Sequence, residues 1–161
     1  MTERALGCLD RMRNRDGSFE YSLAHANEKA PRTMLPAGAA GRGPLCEMVR
    51  YHWGRGSQDD VRHALDAFLV HRASYAKEQG KTLMHCGLEG QGSHYLMFDY
   101  LFAAEAVAAL PEESRAAYVE PVLELLLRAR TAQGSFVDNP ILGDHYGAAM
   151  ALWALDRLAE S

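Results

Sequence analysis

Apolar residues recur at helical spacing along most of the chain, whereas the alternating patterns typical of strands are scarce. Val and Ile are few, and Ala, Leu, Arg and Glu, which favour helices, are frequent. The spacing predicts helices over about 2–13, 45–53, 58–79, 95–110, 111–130 and 144–158. Ser57 and Ser93 are suitable N-caps, and Pro44 and Pro111 suit helix starts. We therefore expect an all-α fold.

Gly-rich segments separate these helices, and they share a short phrase. Asp16-Gly-Ser-Phe-Glu20, Glu89-Gly-Gln-Gly-Ser93 and Gln133-Gly-Ser-Phe-Val-Asp138 each precede a helix of small and large apolar residues. Irregular structure is expected over about 18–43, 80–92 and 133–142, where glycine and proline concentrate. A period of about fifty residues is typical of an array of helical hairpins.

The predicted helices fall into two kinds. Those over 2–13, 58–79 and 111–130 are amphipathic and charge-rich, whereas those over 95–110 and 144–158 are apolar around most of their circumference. A helix that is apolar on all sides is usually buried on all sides. We expect outer amphipathic helices packed on inner buried ones. The hairpins would cover about 2–54, 57–110 and 111–158, and together they would form a single domain over 1–161.

The runs 5–19 and 126–136 resemble the prenyltransferase and squalene-oxidase repeat, in which a Gly-Ser-aromatic turn joins an outer to an inner helix. The resemblance implies an α/α toroid, the architecture of terpene cyclases and protein prenyltransferases, here as a half-barrel of three hairpins. Three hairpins make about half of a full ring. The Asp-x-Asp-Asp acid motif of squalene cyclases, the Asp-x-Cys zinc pair of protein prenyltransferases and the thioester sequence of complement domains do not occur.

Half a ring would leave apolar flanks on its first and last inner helices, and large apolar patches rarely stay in water. We therefore expect a homodimer, or association with the remainder of a toroid, unless the long loops cap the edges.

Composition narrows the function classes. The 161 residues suit one domain, and the formal charge of −4 without a Lys/Arg run argues against nucleic acid or an anionic membrane surface. No apolar stretch is long enough for a membrane span, and the N-terminal stretch has no signal-peptide core. Three cysteines at wide spacing indicate neither a disulfide framework nor a Cys-only zinc site, which suits a cytoplasmic protein.

Three residues are candidate catalytic groups. Asp99 lies in an apolar run, where an unpaired carboxylate is costly, so its pKa is expected to rise and make it a general acid. The alternative is a structural ion pair with Arg50 or Arg72. His94 and His145 occupy equivalent places at two inner-helix starts, where hydrogen bonds to loop carbonyls are the alternative role.

Candidate ligand-binding residues lie at the same end of the predicted inner helices. Helix N-termini attract anions, and Arg42 would add positive charge there. Glu47 and Asp144 add carboxylates, and the rings of Tyr95, Phe98 and Tyr146 would line an isoprenoid cavity unless they are ordinary core.

A zinc site is a weaker hypothesis. His85 and Cys86, with His94, Asp144 or His145, have suitable ligand types, but their spacing matches no zinc signature. No other cofactor is indicated.

Two functions remain open at this point. One is a repeat protein that binds a hydrophobic, isoprenoid-type ligand at the rim formed by the inner-helix starts, as a cyclase-like or prenyltransferase-like enzyme or without catalysis. The other is a non-catalytic helical-repeat module that binds protein partners.

Overall fold

Helices make up nearly all of the regular structure, and no strand occurs among residues 2–21, 23, 36–77, 79 and 96–160, which the computed structural model describes. In chain order the helices of this part are α1 (Thr2–Met12), α2 (Pro36–Ala40), α3 (Gly43–His52), α4 (Gln58–Val70), α5 (Arg72–Ala76), α6 (Leu96–Ala109), α7 (Glu112–Arg128) and α8 (Gly143–Ala159). The prediction of an all-α fold is confirmed.

The helix-start signals at Pro44, Ser57 and Pro111 are confirmed. Pro44 lies in the first turn of α3, and Pro111 is the N-cap of α7. Ser57 Oγ accepts a hydrogen bond from Asp60 N at 3.2 Å, while Asp60 Oδ2 accepts one from Ser57 N at 2.8 Å. This reciprocal capping box fixes the first turn of α4. Ser93, the other predicted N-cap, lies outside the described residues.

Two predicted boundaries are wrong. The helix expected over 58–79 ends at Val70, and a turn at His71 separates it from the short helix α5. Part of the segment expected to be irregular over 18–43 is helical, because Pro36–Ala40 forms α2. The segment predicted to be irregular over 80–92 lies outside the described residues.

The helix α6 lies at the centre of the packing. It contacts α3 on one side and α8 on the other, α4 packs on α3 and α6, and α7 packs on α6 and α8. Ion pairs join α1 to α3, with Arg50 Nε 3.4 Å from Asp10 Oδ1. An inner row of α3, α6 and α8 therefore lies against the outer helices α4 and α7.

The inner helices run in the same direction. Trp53 at the end of α3, Ala109 at the end of α6 and Arg157 in the last turn of α8 line one cleft. At the other end, Gly41 beside the start of α3 lies against Asp99 in the first turn of α6. The starts of these helices therefore lie at one end of the row and their C-termini at the other.

The expectation that inner helices are buried on all sides is right for most of α6 and wrong for α8. Leu96, Met97, Tyr100 and Leu101 of α6 are at most 3% exposed. On α8, however, Leu152 is 66% and Trp153 52% exposed. The reason is that, among the described helices, α8 packs mainly on α6 and α7, which leaves its other flank uncovered.

The turn after α1 and the turn after α7 share one backbone structure. Gly17 and Gly134 occupy equivalent places, with φ of +81° and +87°. In each turn the N–H of the first residue donates at 2.7 Å to the carbonyl four residues later, from Asn14 to Ser18 and from Thr131 to Ser135. The recurrence seen in the sequence is therefore a recurrence in structure.

The aromatic residue of each turn anchors it in the protein. Phe19 and Phe136 are 1% and 8% exposed, and they form isolated antiparallel bridges with Arg13 and Arg130. A Cβ atom on Gly147 of α8 would lie 2.1 Å from Phe136 O, so α8 packs directly on the second turn. The third copy of the phrase, over 89–93, lies outside the described residues.

Candidate functional site

Acidic and basic side chains from four chain segments meet at the N-terminal end of the inner row. We name Glu20, Gly41, Arg42, Asp99 and Asp138 the rim cluster. The turn after α1 supplies Glu20, the residues just before α3 supply Gly41 and Arg42, α6 supplies Asp99, and the turn after α7 supplies Asp138. Two of its members, Asp99 and Arg42, were predicted as site residues from the sequence.

Asp138 is fully buried and caps the start of α6 from a distant part of the chain. Its Oδ1 and Oδ2 accept hydrogen bonds from Leu96 N and Met97 N, each at 3.1 Å. Burial raises the pKa of Asp138 to about 7, although the two backbone N–H groups favour the ionised carboxylate and hold the pKa down. Asp138 therefore binds the positive end of α6 as well as joining two repeats.

Asp99 lies one turn into α6 and packs against glycine backbone. An ideal Cβ on Gly41 would lie 2.2 Å from Asp99 Oδ2, so only a glycine leaves room for this carboxyl group. Burial raises the pKa of Asp99 to about 8, the negative charge of Asp138 adds to the rise, and Arg42 opposes it. A carboxyl group of this kind carries its proton at neutral pH and can donate it.

Arg42 joins the rim cluster to the turn after α1. Its Nε and Nη2 atoms donate to Phe19 O at 3.1 and 2.9 Å, and Nη1 donates to Gly38 O at 2.8 Å. The guanidinium carbon lies 5.7 Å from the centre of the Tyr21 ring. Burial lowers the pKa of Arg42, while the charges of Cys46, Asp99 and Glu20 raise it. Arg42 therefore holds the turn in place and places positive charge beside Asp99.

The alternative partners of Asp99 have other contacts. Arg50 lies 3.4 Å from Asp10 and 3.6 Å from Glu47, and Arg72 donates to Leu69 O at 2.9 Å. The cation that acts on Asp99 is Arg42.

Glu47, a predicted ligand-binding residue, is only 1% exposed and takes part in ion pairs within the fold. Its Oε1 accepts from Arg13 Nε at 2.5 Å, and Arg13 also reaches Asp60 Oδ1 at 2.8 Å. The contacts join the end of α1 to α3 and to the capping box of α4. Burial raises the pKa of Glu47, and the charges of Arg13 and Arg50 oppose that rise. These contacts give Glu47 a structural role.

Three aromatic rings from the N-terminal halves of α6 and α8 pack together. The ring of Phe98 stacks on that of Phe102, with centroids 5.4 Å apart, and meets the edge of the Tyr146 ring at 5.7 Å. All three side chains are half-buried rather than enclosed in the core. Of the predicted ligand-binding residues, Phe98 and Tyr146 are thus brought together.

The remaining predicted site residues are exposed or lie outside the described part of the chain. Asp144 and His145 are exposed in the first turn of α8. His85, Cys86, His94 and Tyr95 lie outside the described residues. Among the described residues, no group of three or more His, Cys, Asp or Glu is placed to hold a metal ion.

Asp138 and Gly41 were not identified as site residues from the sequence. The signal for Asp138 was its place two residues after a recurring Gly-Ser-Phe turn, which brings it to the same rim as the inner-helix starts. For Gly41, nothing in the sequence indicated that a carboxyl group would lie against it.

Comparisons with family models, with curated proteins and with solved structures found no match to this chain. None of the described helices has the length and apolar character that crossing a membrane requires.

Proposed function

We propose that this chain is a repeat protein of the prenyltransferase and squalene-cyclase kind, which binds a hydrophobic, isoprenoid-type ligand at the starts of its inner helices. The observation that carries the proposal is the Asp99 carboxyl group packed against Gly41 at the start of α6, the helix that also supplies the rings of Phe98 and Phe102.

The arrangement of the helices supports the proposed family. The inner helices share one direction, the outer helices lie against them, and the Gly-Ser-Phe turn recurs with the same hydrogen bonds. These are features that the toroid repeat would produce. The exposed flank of α8 is where a further part of a ring, or a second copy of the chain, would pack.

The chemistry of the rim suits protonation of an alkene. A carboxylic acid that keeps its proton at neutral pH can donate it to a carbon–carbon double bond, and the resulting carbocation is stabilised by neighbouring aromatic faces. In this scheme Asp99 donates its proton to the alkene and becomes a carboxylate, while Phe98, Phe102 and Tyr146 face the carbocation. The carbocation then loses a proton to water, which forms a new double bond, and a proton from water returns to Asp99.

The alternative function, a protein-interaction module, is favoured by one observation. Leu152 and Trp153 lie side by side on α8 with more than half of each side chain exposed. Tryptophan is enriched among the residues that contribute most to binding in protein interfaces.

The ligand is tested with farnesol and squalene as probes. Binding to the purified chain is measured by native mass spectrometry and by quenching of tryptophan fluorescence. Phe98→Leu is expected to weaken binding about two- to twelvefold, since aromatic contacts contribute ~0.5–1.5 kcal/mol. Leu127→Ser, which changes an exposed leucine of the outer helix α7, is the matched control and should leave binding unchanged.

The reaction is tested separately from binding. Incubation with squalene is followed by gas chromatography of the extracted products. Asp99→Asn is expected to abolish cyclised products while binding persists. If the wild-type chain binds neither probe, the ligand hypothesis is wrong. A change in oligomeric state or partner binding for Leu152→Ser with Trp153→Ser would then favour the interaction module.

A further inference from the structure

A cleft lies at the end of the inner row opposite the rim cluster, where the C-termini of α3, α6 and α8 meet. We name it the C-terminal cleft; Met48, Tyr51, His52, Trp53, Glu105 and Arg157 are among its lining residues. Its volume of about 400 Å³ is within the range of small-molecule sites. It is separate from the rim cluster and independent of the proposed function.

Aromatic side chains form one wall of the cleft. Tyr51, His52 and Trp53 follow one another at the end of α3, and Trp53 remains 55% exposed. The rings of His52 and Trp53 lie nearly perpendicular to each other, with their centroids 6.1 Å apart. The face of a tryptophan ring attracts cations more strongly than that of other aromatic side chains.

Glu105 of α6 and Arg157 of α8 also line the cleft, and Arg157 is paired with a second carboxylate, Glu160, outside the lining. Glu105 Oε2 accepts a hydrogen bond from Arg157 Nε at 3.1 Å, and Arg157 Nη1 also donates to Glu160 Oε2 at 2.6 Å. One guanidinium is thus shared between two carboxylates. The C-terminal ends of the surrounding helices add partial negative charge, because helix dipoles are negative there.

We propose that the C-terminal cleft binds an organic cation, a quaternary or methylated ammonium group that sits against Trp53 and pairs with Glu105. Arg157 keeps Glu160 as a partner when the ammonium approaches Glu105, so binding leaves no guanidinium unpaired. A methylated ammonium suits this cleft because its methyl groups contact the aromatic wall and Met48, while its charge faces the carboxylate.

The test uses choline and its neutral isostere 3,3-dimethylbutan-1-ol as probes for the full chain. Trp153→Phe leaves Trp53 as the only tryptophan, so its fluorescence reports binding in the cleft directly. Calorimetry on the wild-type chain measures the same affinities without a probe residue. Choline is expected to bind at least about tenfold more tightly than the neutral alcohol, as a cation held by a ring and a carboxylate should.

Two tryptophan substitutions provide a matched pair, because Trp53 and Trp153 are almost equally exposed. Trp53→Leu should weaken choline binding about tenfold, and Trp153→Leu should leave it unchanged. Glu105→Gln should produce a loss similar to that of Trp53→Leu. Should Glu105→Gln fail to fold, the tryptophan pair still decides the matter. Equal affinity for the two probes, no binding of choline, or unchanged binding by Trp53→Leu would each overturn the proposal without bearing on the isoprenoid site.

Discussion

Asp138 Oδ2 accepts a hydrogen bond from Met97 N at 3.1 Å, so a carboxylate in the turn after α7 holds the first turn of α6, forty-one residues earlier in the chain. The same carboxylate accepts from Leu96 N through its other oxygen. The N–H groups of a helix's first turn have no partners within the helix, and a buried N–H group without an acceptor lowers stability. Asp138 therefore links two repeats through the backbone of the central helix.

Asp138→Ala is expected to lower the free energy of unfolding by roughly 2–4 kcal/mol, because two buried N–H groups lose a charged acceptor. Urea denaturation followed by circular dichroism measures the loss. Asp144→Ala is the matched control, since Asp144 lies in the first turn of α8 but is exposed, and it should cost less than about 1 kcal/mol. Equal losses for the two variants would show that Asp138 does not act as a cap.

The starts of α3, α4 and α7 could be predicted because their signals are local. Ser57 and Asp60 lie three residues apart, and the helix-start prolines act through their own backbone. The end of α4 at Val70 was missed because the apolar spacing continues across the turn at His71. The helix α2 was missed because Pro36 and Gly38 are typical of irregular structure.

The candidate site was only partly predictable for a different reason. Asp99 could be identified as a candidate site residue without knowledge of the fold, because it is a carboxylate in an apolar run. Its neighbours Gly41 and Asp138 lie far from it in sequence, and no periodicity indicates which loop reaches the start of α6. For Glu47, the sequence suggested a ligand-binding residue from its polar type and position, and it did not indicate the ion pair with Arg13.

The free energy of unfolding is expected to fall as the pH rises from about 4 to about 8, because of the raised pKa of Asp99. In the unfolded chain an aspartate has a pKa near 3.8, whereas in the folded protein the pKa of Asp99 is raised to about 8. Between these values the folded state holds a proton that the unfolded state has released, so unfolding becomes easier with rising pH. The raised pKa values of Asp138 and Glu47 act in the same direction, while the lowered pKa of Asp60 matters only at more acid pH.

The melting temperature of the wild-type chain should therefore drop by on the order of 5 °C between pH 6 and pH 8.5, as 1 kcal/mol corresponds to ~2–4 °C for a chain of this size. Asp99→Asn should flatten this dependence, being more stable than the wild type at pH 8.5 and similar at pH 5. Asp144→Asn, which replaces an exposed carboxylate, should give the same pH dependence of the melting temperature as the wild type. A wild-type curve that rises between pH 6 and pH 8.5 would contradict the assignment of a proton to Asp99.

The contact between Gly41 and Asp99 predicts a coupled pair of substitutions. Gly41→Ala places a methyl group within 2.2 Å of Asp99 Oδ2 and should cost about 1–3 kcal/mol. In an Asp99→Ala background the carboxyl group is gone, so the added cost of Gly41→Ala should fall to near zero. Gly43→Ala is the control, because the nearest atom to its Cβ would be 3.6 Å away. Additive losses in the double variant would indicate that the two side chains do not meet.

The recurring turn predicts that two positions far apart in the chain respond alike to substitution. Gly17 and Gly134 both have positive φ, a conformation that costs a residue with a side chain roughly 1–2 kcal/mol. At each position Ala should lower the free energy of unfolding by about that amount, Asn by less and Val by more, because Asn tolerates this conformation and a β-branched side chain does not. Gly7, within α1 and with open space around it, is the control, and Gly7→Ala should leave stability unchanged or raise it. Denaturation of the seven variants gives the order at both turns, and a different order at Gly17 and Gly134 would mean that the turns share their hydrogen bonds but not their energetics.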